Sequence, residues 1–176
     1  MNIAVCVKQI PDPAVPGSLG ADNTLDRAGK LILDDSDAYG VEMSLQLAEK
    51  AGGGEVVLIS MAPNGEVSGL RTALAMGAAR AVLVSDDALA GSDALSTAKV
   101  LAKCVERAGE VDLVLAATES SDGYTGTVPA QVGELLDWPS LTFAKHVERG
   151  VGQGTDGTHV SPRRADRGKN RVIRRA

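Results

Sequence analysis

The chain has 176 residues, of which 44% are hydrophobic and 23% are charged, and its formal net charge is −5. This composition is typical of a globular protein with one domain and at most a small appendage, and it excludes a disordered chain. Aromatic residues make up only 2%, which counts against the stacking surfaces that bind single-stranded nucleic acid. No apolar run approaches the roughly 20 residues that span a bilayer, and a signal peptide is not expected.

The first half of the chain predicts alternating strands and helices. Residues 3–7 and 56–60 are short apolar runs rich in β-branched side chains, which indicates buried strands. After the first strand, a Pro- and Gly-rich stretch of about 25 residues predicts a long loop that is functional or mobile. A helix is expected from about residues 35–37 to the glycines at 52–54, and a second one from Val67 to Gly77.

The same alternation continues as far as Trp138. Residues 81–85 and 113–117 predict a third and a fourth strand, and Ser92 is the expected N-cap of the helix between them. A polar loop then precedes a fourth helix, which ends before Pro139 because proline disfavours helical geometry in the residue that precedes it. Strands that alternate with amphipathic helices predict an α/β fold, an open parallel β-sheet with helices on both faces, which is Rossmann-like.

The loop after the fourth strand is the richest candidate site. Ligands of open α/β sheets bind beyond the carboxyl ends of the strands. Here the sequence TESSDGYTGT supplies hydroxyls, two carboxylates and two glycines before a helix N-terminus. Backbone N–H groups and the helix dipole favour an anion such as phosphate at this place, and Asp122 is a candidate acceptor for a ribose hydroxyl. The alternative is an ordinary turn in which Thr125 or Asp122 caps the helix.

Other chemistries have weak support in the sequence. The patterns GxGxxG, GxxxxGK[ST] and GxSxG are absent, so no dinucleotide fingerprint, triphosphate loop or hydrolase elbow is expected. His146 and His159 show no ligand spacing, and we expect no metal site. The acidic residues 34–37 are more typical of a solvated helix start than of a cation site. Cys6 and Cys104 suggest no disulfide framework, and a reducing cytoplasm is the simplest compartment.

The charge is distributed unevenly along the chain. Residues 149–176 carry eight basic residues against Asp156 and Asp166, a local charge of +6, so residues 1–148 carry −11. An acidic body offers no broad surface to nucleic acid. We expect a domain in residues 1–147 and a basic Gly- and Arg-rich tail in 148–176, disordered because it lacks apolar periodicity. A frameshift or truncated gene product would explain this tail, and a functional tail for nucleic acid or anionic membrane is the alternative.

Several segments match one protein family. The blocks VCVKQIPD, LDDSDAYGVEMSLQLAEK, RTALAMGAARAVLVSDDALAGSDALSTAKVLA and TESSDGYTG…LDWPSLTF resemble the β subunit of electron transfer flavoprotein over residues 1–147. The resemblance implies an adenine-nucleotide-binding fold and a heterodimer with the electron transfer flavoprotein α subunit. It implies a carrier rather than an enzyme. Such a carrier takes electrons from acyl-CoA and other dehydrogenases, as in fatty acid β-oxidation, and passes them to a quinone oxidoreductase.

The resemblance also implies cofactors and their contacts. FAD would be held mainly by the α subunit, whereas this chain would hold a structural AMP. Carried over by position, the nucleotide contacts fall at strand ends and before the first helix, on Cys6, Asp34, Asp35, Ser36, Asp37, Met61, Ala117, Thr118, Asp122, Gly123, Thr125, Gly126, Thr127 and Val128. Tyr124 stands where many members have an acidic residue. We therefore expect the nucleotide to contact the backbone of this loop more than its side chains. Beyond Val147 the sequence departs from the family, whose members continue with further sheet and a loop that docks onto dehydrogenases.

Two other functions remain open on the residues. One is a stand-alone nucleotide-binding domain of the universal-stress-protein type. Such a domain has a glycine-rich phosphate loop, which the segment TESSDGYTG of this chain matches only loosely. The other is a nucleotide-using ligase of the adenylate-forming α/β kind. Flavin that copurifies only with a co-expressed α subunit would favour the carrier, and an ATP-binding homodimer would favour the stand-alone domain.

Overall fold

The computed structural model describes residues 1–144, Val147 and the backbone of residues 172–175. The elements of this part of the chain are, in order, β1 (Ile3–Cys6), β2 (Gln9–Pro11), β3 (Leu31–Leu33), α1 (Asp35–Lys50), β4 (Val56–Met61), α2 (Ser68–Ala75), β5 (Arg80–Val84), α3 (Ala94–Arg107), β6 (Leu113–Ala116), α4 (Val128–Leu135), β7 (Ser140–Leu141) and β8 (Val172–Arg175). Six strands form one sheet in the order β5–β4–β1–β6–β8–β7, and all its pairings are parallel. The predicted open parallel α/β sheet is confirmed.

β1 lies inside the sheet, between β4 and β6. Ile3 is opposite Val56 of β4 on one side and opposite Leu113 of β6 on the other. From β1 the chain moves outward to β4 and β5, and it then crosses to β6 on the far side of β1. The strand order therefore reverses between β1 and β6, and the carboxyl ends of these two strands form the crevice where open α/β sheets bind ligands.

Helices cover both faces of the sheet, as the sequence predicts. Ile3 and Val5 pack in a cluster with α1 and α2, whereas Ala4 and Ile59 pack with α3 and α4. The inner strands are buried on both faces, which explains why their sequences are continuous apolar runs instead of alternating patterns. The largest fully buried side chains are aliphatic except for one, the carboxylate of Asp37.

The long loop expected after β1 contains two short strands. β2 and β3 pair antiparallel, with Gln9 opposite Leu33, and the side chains of Ile10 and Leu31 are buried. The expectation of a loop was wrong at these positions, because strands of three residues are too short to produce a recognisable period. The hairpin packs on α2 and sends the intervening segment toward the carboxyl edge of the sheet.

The third helix is capped by Asp93 and not by Ser92. The carboxylate of Asp93 accepts a hydrogen bond from the N–H of Ser96 at 2.7 Å. Ser92 instead donates its hydroxyl to the carbonyl of Leu89, at the end of a short 3₁₀ helix. The predicted cap was one residue early because serine and aspartate are both good N-caps.

β8 lies within the segment that the sequence predicted to be a disordered tail. The backbone of residues 172–175 pairs with β6 and with β7, which differs from the disorder expected at these positions. Val172 and Ile173 are β-branched residues, which suit a strand. The rest of the tail, residues 148–171 and 176, lies outside the described residues, so the boundary between domain and tail stays a prediction.

Candidate functional site

The candidate site lies at the carboxyl edge of the sheet, beside β1 and β6. Cys6 ends β1, Ala117 follows β6, and Met61 ends the neighbouring β4. The acidic residues 34–37 begin α1, and residues 118–127 connect β6 to α4. We call residues 118–127 the β6–α4 loop. The segments that the sequence selected are therefore carried by one edge of the sheet.

Asp34 joins the start of α1 to the β6–α4 loop. Its Oδ1 accepts from the N–H and the hydroxyl of Ser36, at 3.0 and 2.6 Å. Its Oδ2 accepts from the N–H and the hydroxyl of Ser121, at 3.0 and 2.8 Å. Burial pushes the pKa of Asp34 upward, but the donors of Ser36 and Ser121, together with the charge of Lys8, lower it to about 2. The carboxylate is ionised, and all its acceptor positions are used within the protein.

A partly buried ion pair connects the segment after β1 to α1. The Nζ of Lys8 lies 2.8 Å from Oδ1 of Asp37 and 3.5 Å from Oδ2 of Asp34. The backbone N–H of Lys8 donates to Oδ2 of Asp37 at 2.6 Å. Burial raises the pKa of Asp37 to about 6, although Lys8 acts in the opposite direction. The expectation of a solvated acidic cluster was wrong for Asp34 and Asp37, which are 2% and 1% exposed; it holds for Asp35, which is exposed.

The segment between β2 and β3 reaches the β6–α4 loop through Arg27. The guanidinium of Arg27 pairs with the carboxylate of Asp122 and donates to the carbonyl of Gln9 at 3.2 Å. The side chain of Asp122 is only 12% exposed. The acceptor that the sequence suggested for a ribose hydroxyl is thus already engaged, and a ligand would have to share it with Arg27.

The first half of the β6–α4 loop is held by its own hydrogen bonds. The N–H of Gly123 donates to the hydroxyl of Ser120, and the N–H of Tyr124 donates to the carbonyl of Ser120, both at 3.0 Å. Tyr124 has a φ of 52° and is 67% exposed. Its ring lies in solvent and does not fill the loop. The N–H of Gly123 is therefore occupied, and an anion would have to bind nearer to α4.

α4 begins without a side-chain cap. Its N-cap is Thr127, whose side chain makes no capping hydrogen bond. Neither Thr125 nor Asp122 is the cap, so the ordinary capping turn is not what the structure contains. The N–H groups of Val128 and Ala130 have no acceptor from a cap side chain, Pro129 between them has no N–H group, and the positive end of the helix dipole lies there. Gly126 precedes them with a φ of 63°, which glycine adopts without strain.

Gln131 places a second polar group near the start of α4. Its Oε1 is buried and has no hydrogen-bond partner among the described residues. Its Nε2 lies 3.5 Å from the hydroxyl of Thr127. Long side chains on a helix lean toward its N-terminus, so this amide is directed at the same end of α4. An unpartnered acceptor there fits a donor on a ligand, such as an amino or hydroxyl group.

Cys6 and Met61 contribute shape to this edge and little polar chemistry. Burial, with a smaller effect of the Asp37 carboxylate, raises the pKa of the Cys6 thiol to about 12, so the thiol stays protonated. Both side chains are partly buried against the cluster formed with α3 and α4.

Two pockets are lined by residues outside the β6–α4 loop and the start of α1. One of about 430 Å³ lies at the carboxyl ends of β4 and β5 and is lined by Pro63, Asn64, Gly65, Ser85, Asp86 and Asp87. The other, of about 250 Å³, is lined by Val105, Glu106, Gly109, Val111, Leu136 and Trp138. Neither is lined by a residue to which the family resemblance assigns a nucleotide contact, although Pro63, Asp86 and Asp87 of the first pocket follow predicted strands at the carboxyl edge.

The described residues contain no cluster of metal-ligating side chains. Within residues 1–144 and Val147, no three His, Cys, Asp or Glu residues are grouped as they would be around an ion. His146 and His159 lie outside the described residues, so the expectation that they bind no metal stays a prediction. In the same part of the chain, no helix combines the length and the apolar character needed to cross a membrane.

Comparison with known proteins identifies the family. The model of the electron transfer flavoprotein domain matches residues 22–173. The chain belongs to the electron transfer flavoprotein domain family. Its sequence is 40% identical over 149 residues to the electron transfer flavoprotein subunit beta of Thermoanaerobacterium thermosaccharolyticum, a match that covers 84% of this chain and 56% of the relative. It is 38% identical over 152 residues to the subunit beta of Mycobacterium bovis, covering 83% and 57%.

Other relatives in this electron transfer flavoprotein family carry different names. The chain is 36% identical over 149 residues to the subunit CarD of the caffeyl-CoA reductase–Etf complex of Acetobacterium woodii, covering 84% of this chain and 57% of the relative. It is 36% identical over 152 residues to the protein FixA of Azorhizobium caulinodans, covering 84% and 54%. The chain spans about half the length of the curated relatives it matches. The resemblance found in the sequence blocks is confirmed.

Sequence reasoning did not single out three residues that the structure brings to the site, although Ser121 lies within the loop that it selected. Ser121 contacts Asp34 across 87 residues, and Arg27 contacts Asp122 across 95 residues. Gln131 lies one turn inside α4. No local pattern marks any of them: Ser121 is one hydroxyl among several in TESSDGYTGT, and Arg27 lies in a segment interpreted as loop.

Proposed function

We propose that this chain is the β subunit of a heterodimeric electron transfer flavoprotein, in which it binds a structural AMP and carries no side-chain catalysis of its own. FAD would be held mainly by the α subunit and would supply the reversible electron storage that the side chains of this chain lack. The observation that carries the proposal is the uncapped start of α4, which lies at the switch point of the sheet in a chain of this family.

The residues at the carboxyl edge fit a nucleoside monophosphate. Because Pro129 has no N–H group, the N–H groups of Val128 and Ala130 would hold the phosphate, with Gly126 allowing a close approach. The buried Oε1 of Gln131 would accept from a hydroxyl or amino group of the nucleoside.

The carboxylates of Asp34, Asp37 and Asp122 lie near the proposed phosphate position, but positive groups or hydrogen-bond donors within the protein reduce their repulsion of an anion. The donors of Ser36 and Ser121 surround the carboxylate of Asp34. Lys8 pairs with Asp37, and Arg27 pairs with Asp122. Paired charges repel an approaching anion much less than free ones, so the acidic residues of this edge are compatible with a phosphate.

Exposed aromatic side chains at the same edge support a protein partner. Tyr39, Tyr124 and Phe143 are 73%, 67% and 75% exposed. Tyr39 lies in the first turns of α1, Tyr124 in the β6–α4 loop, and Phe143 just beyond the carboxyl end of β7. Aromatic residues are enriched in protein interfaces. We assign this surface to the α subunit, which would also cover the nucleotide.

The proposed electron path begins at acyl-CoA and other dehydrogenases and ends at a quinone oxidoreductase. Family membership supports electron transfer in general terms, and the names of the subunit beta relatives and of CarD support a subunit that works inside a complex. The free thiols Cys6 and Cys104 fit a reducing cytoplasm.

A thermal-shift titration with AMP, ADP and ATP tests the nucleotide site. A ligand at 100 times its Kd stabilises the folded state by about 2.7 kcal/mol, so saturating AMP should raise the Tm clearly. Thr125→Ala should weaken AMP binding by about 0.5–1.5 kcal/mol through the loss of one hydroxyl donor. Thr72→Ala is the matched control, because Thr72 is also exposed but lies on α2. No shift with AMP in the wild type would refute the site, and a stronger response to ATP in a homodimer would favour the stand-alone domain.

Gly126→Val provides a second perturbation of the same site. A β-branched side chain is strained at a φ of 63° and would obstruct the approach of the phosphate. The AMP response should be lost while circular dichroism shows that the sheet is retained. An unchanged response would mean that Gly126 does not line the nucleotide.

Co-expression tests the proposed partner. The chain purified alone should be colourless, whereas the chain purified with an electron transfer flavoprotein α subunit should carry FAD in a one-to-one complex. Stoichiometric FAD on the isolated chain would contradict this division of roles.

A further inference from the structure

The contact between Asp34 and Ser121 connects two segments that are 87 residues apart in the chain. One oxygen of Asp34 caps α1 through Ser36, and the other receives both donors of Ser121. Because a carboxylate offers about four acceptor positions, none is left over for a ligand. The family resemblance assigned Asp34 a contact with the nucleotide, but the donors of Ser36 and Ser121 use all the acceptor positions of its carboxylate.

We propose that Asp34 is a positioning residue, which binds Ser121 and thereby holds the β6–α4 loop in the conformation that presents the start of α4 to a phosphate. The inference rests on the proposed nucleotide site. It assigns Asp34 an effect exerted through Ser121, in place of a direct contact with the nucleotide.

The location of the contact explains why it can control the loop. Ser121 lies near the beginning of the loop, and the next residue, Asp122, is held by Arg27. Both Ser121 bonds end on an ionised acceptor, which makes them stronger than bonds between neutral groups. Lys8, 3.5 Å from the same oxygen and 2.8 Å from Oδ1 of Asp37, shares its positive charge between the two carboxylates. Asp34 thus anchors the loop to α1, while Gly126 and the start of α4 remain at the edge.

Asp34→Asn separates the capping role from the loop contact. Asparagine is as good an N-cap as aspartate, so its oxygen keeps the bond from the N–H of Ser36. Its NH₂ group cannot accept from the N–H of Ser121, although it can donate to the hydroxyl oxygen, so the variant removes the backbone bond of the contact. Asp93→Asn is the matched control, because Asp93 caps α3 through Ser96 and makes no contact with the loop. Ser121→Ala removes the hydroxyl donor and leaves the cap of α1 intact.

Two measurements on the full chain are needed, hydrogen exchange of residues 118–127 without ligand and AMP affinity by calorimetry. Asp34→Asn should speed exchange in the loop at least tenfold and weaken AMP binding about tenfold, whereas Asp93→Asn should stay within twofold of the wild type. The double variant Asp34→Asn with Ser121→Ala should bind AMP more weakly than either single variant, because it removes the backbone bond and the hydroxyl bond together.

The outcomes separate this inference from the proposed function. A wild-type chain that does not bind AMP overturns the nucleotide site and the inference with it. Normal AMP binding and normal loop exchange in Asp34→Asn overturn the inference alone. Weaker AMP binding with unchanged loop exchange would show that Asp34 touches the nucleotide directly, which also overturns the positioning role.

Discussion

Replacing Lys8 by methionine should lower the free energy of unfolding, because it removes the ammonium that pairs with the buried carboxylate of Asp37. Methionine keeps most of the apolar stem and the backbone N–H that donates to Asp37, so the substitution removes chiefly the charge at Nζ, 2.8 Å from Oδ1. Asp37 is 1% exposed, whereas the side chain of Lys8 is 29% exposed, so water can replace the ammonium only in part. Removing one member of a buried ion pair costs about 3–5 kcal/mol.

The pH dependence gives this prediction its signature. The pKa of Asp37 is about 6 in the folded chain, against 3.8 as its ordinary value. Between these values the folded state binds the proton more tightly, so ionisation of Asp37 lowers stability as the pH rises, by about 3 kcal/mol at 1.36 kcal/mol per pKa unit. Loss of Lys8 raises the pKa of Asp37 further. The variant should therefore be more destabilised at pH 7.5 than at pH 5, where Asp37 is protonated and only the ionised Asp34, 3.5 Å from Nζ, still loses a charged partner.

Urea unfolding at pH 5 and at pH 7.5 measures both effects. Lys103→Met is the control, since Lys103 forms an exposed pair with Glu106 in which the two side chains are 76% and 47% exposed. Such a pair contributes about 0–1 kcal/mol. If Lys8→Met costs no more than Lys103→Met at pH 7.5, or if its cost is the same at both pH values, the buried-charge reasoning is refuted.

Two further predictions concern packing and thiol chemistry. Gly69→Ala should destabilise the chain by about 1–3 kcal/mol in urea unfolding, because a Cβ would lie 2.8 Å from Cγ of Gln9; Gly29→Ala, where a Cβ meets nothing within 4 Å, should shift stability by less than about 1 kcal/mol. Burial raises the pKa of both thiols, that of Cys6 to about 12. Cys6 and Cys104 should therefore resist a thiol reagent at pH 8 in the native chain and react in urea. Rapid labelling of the native chain would contradict this.

The architecture was predictable because each buried strand is a short continuous apolar run and each long helix shows helical spacing of its apolar residues. The strand at residues 3–7, the helix that begins at Asp35 and the loop before Val128 were found at their places, and the parallel sheet follows from their alternation. The edge that carries the candidate site follows in turn, since ligand crevices of such sheets lie at the carboxyl ends.

The contacts within the site were not predictable from local patterns. The pairing of Asp34 with Ser121 and that of Arg27 with Asp122 depend on where separate elements meet after folding. The burial of Asp37 also depends on tertiary packing, because an acidic residue in the first turn of a helix is usually solvated. The β2–β3 hairpin was missed because each strand has only three residues.

The central place of β1 has a consequence for synthesis on the ribosome. Ile3 is synthesised before its sheet partners Val56 and Leu113. At about 5–20 residues per second, roughly 6–22 s pass between the synthesis of Ile3 and that of Leu113, and the edge of β1 that pairs with β6 stays unpaired during this time. Pairings this distant form slowly, since the closure of a long loop precedes the gain from contact. Until then, a strand that is apolar on both faces offers two unpaired edges to other nascent chains. The yield of folded chain should therefore depend on the supply of chaperones during translation more than on the stability of the finished sheet.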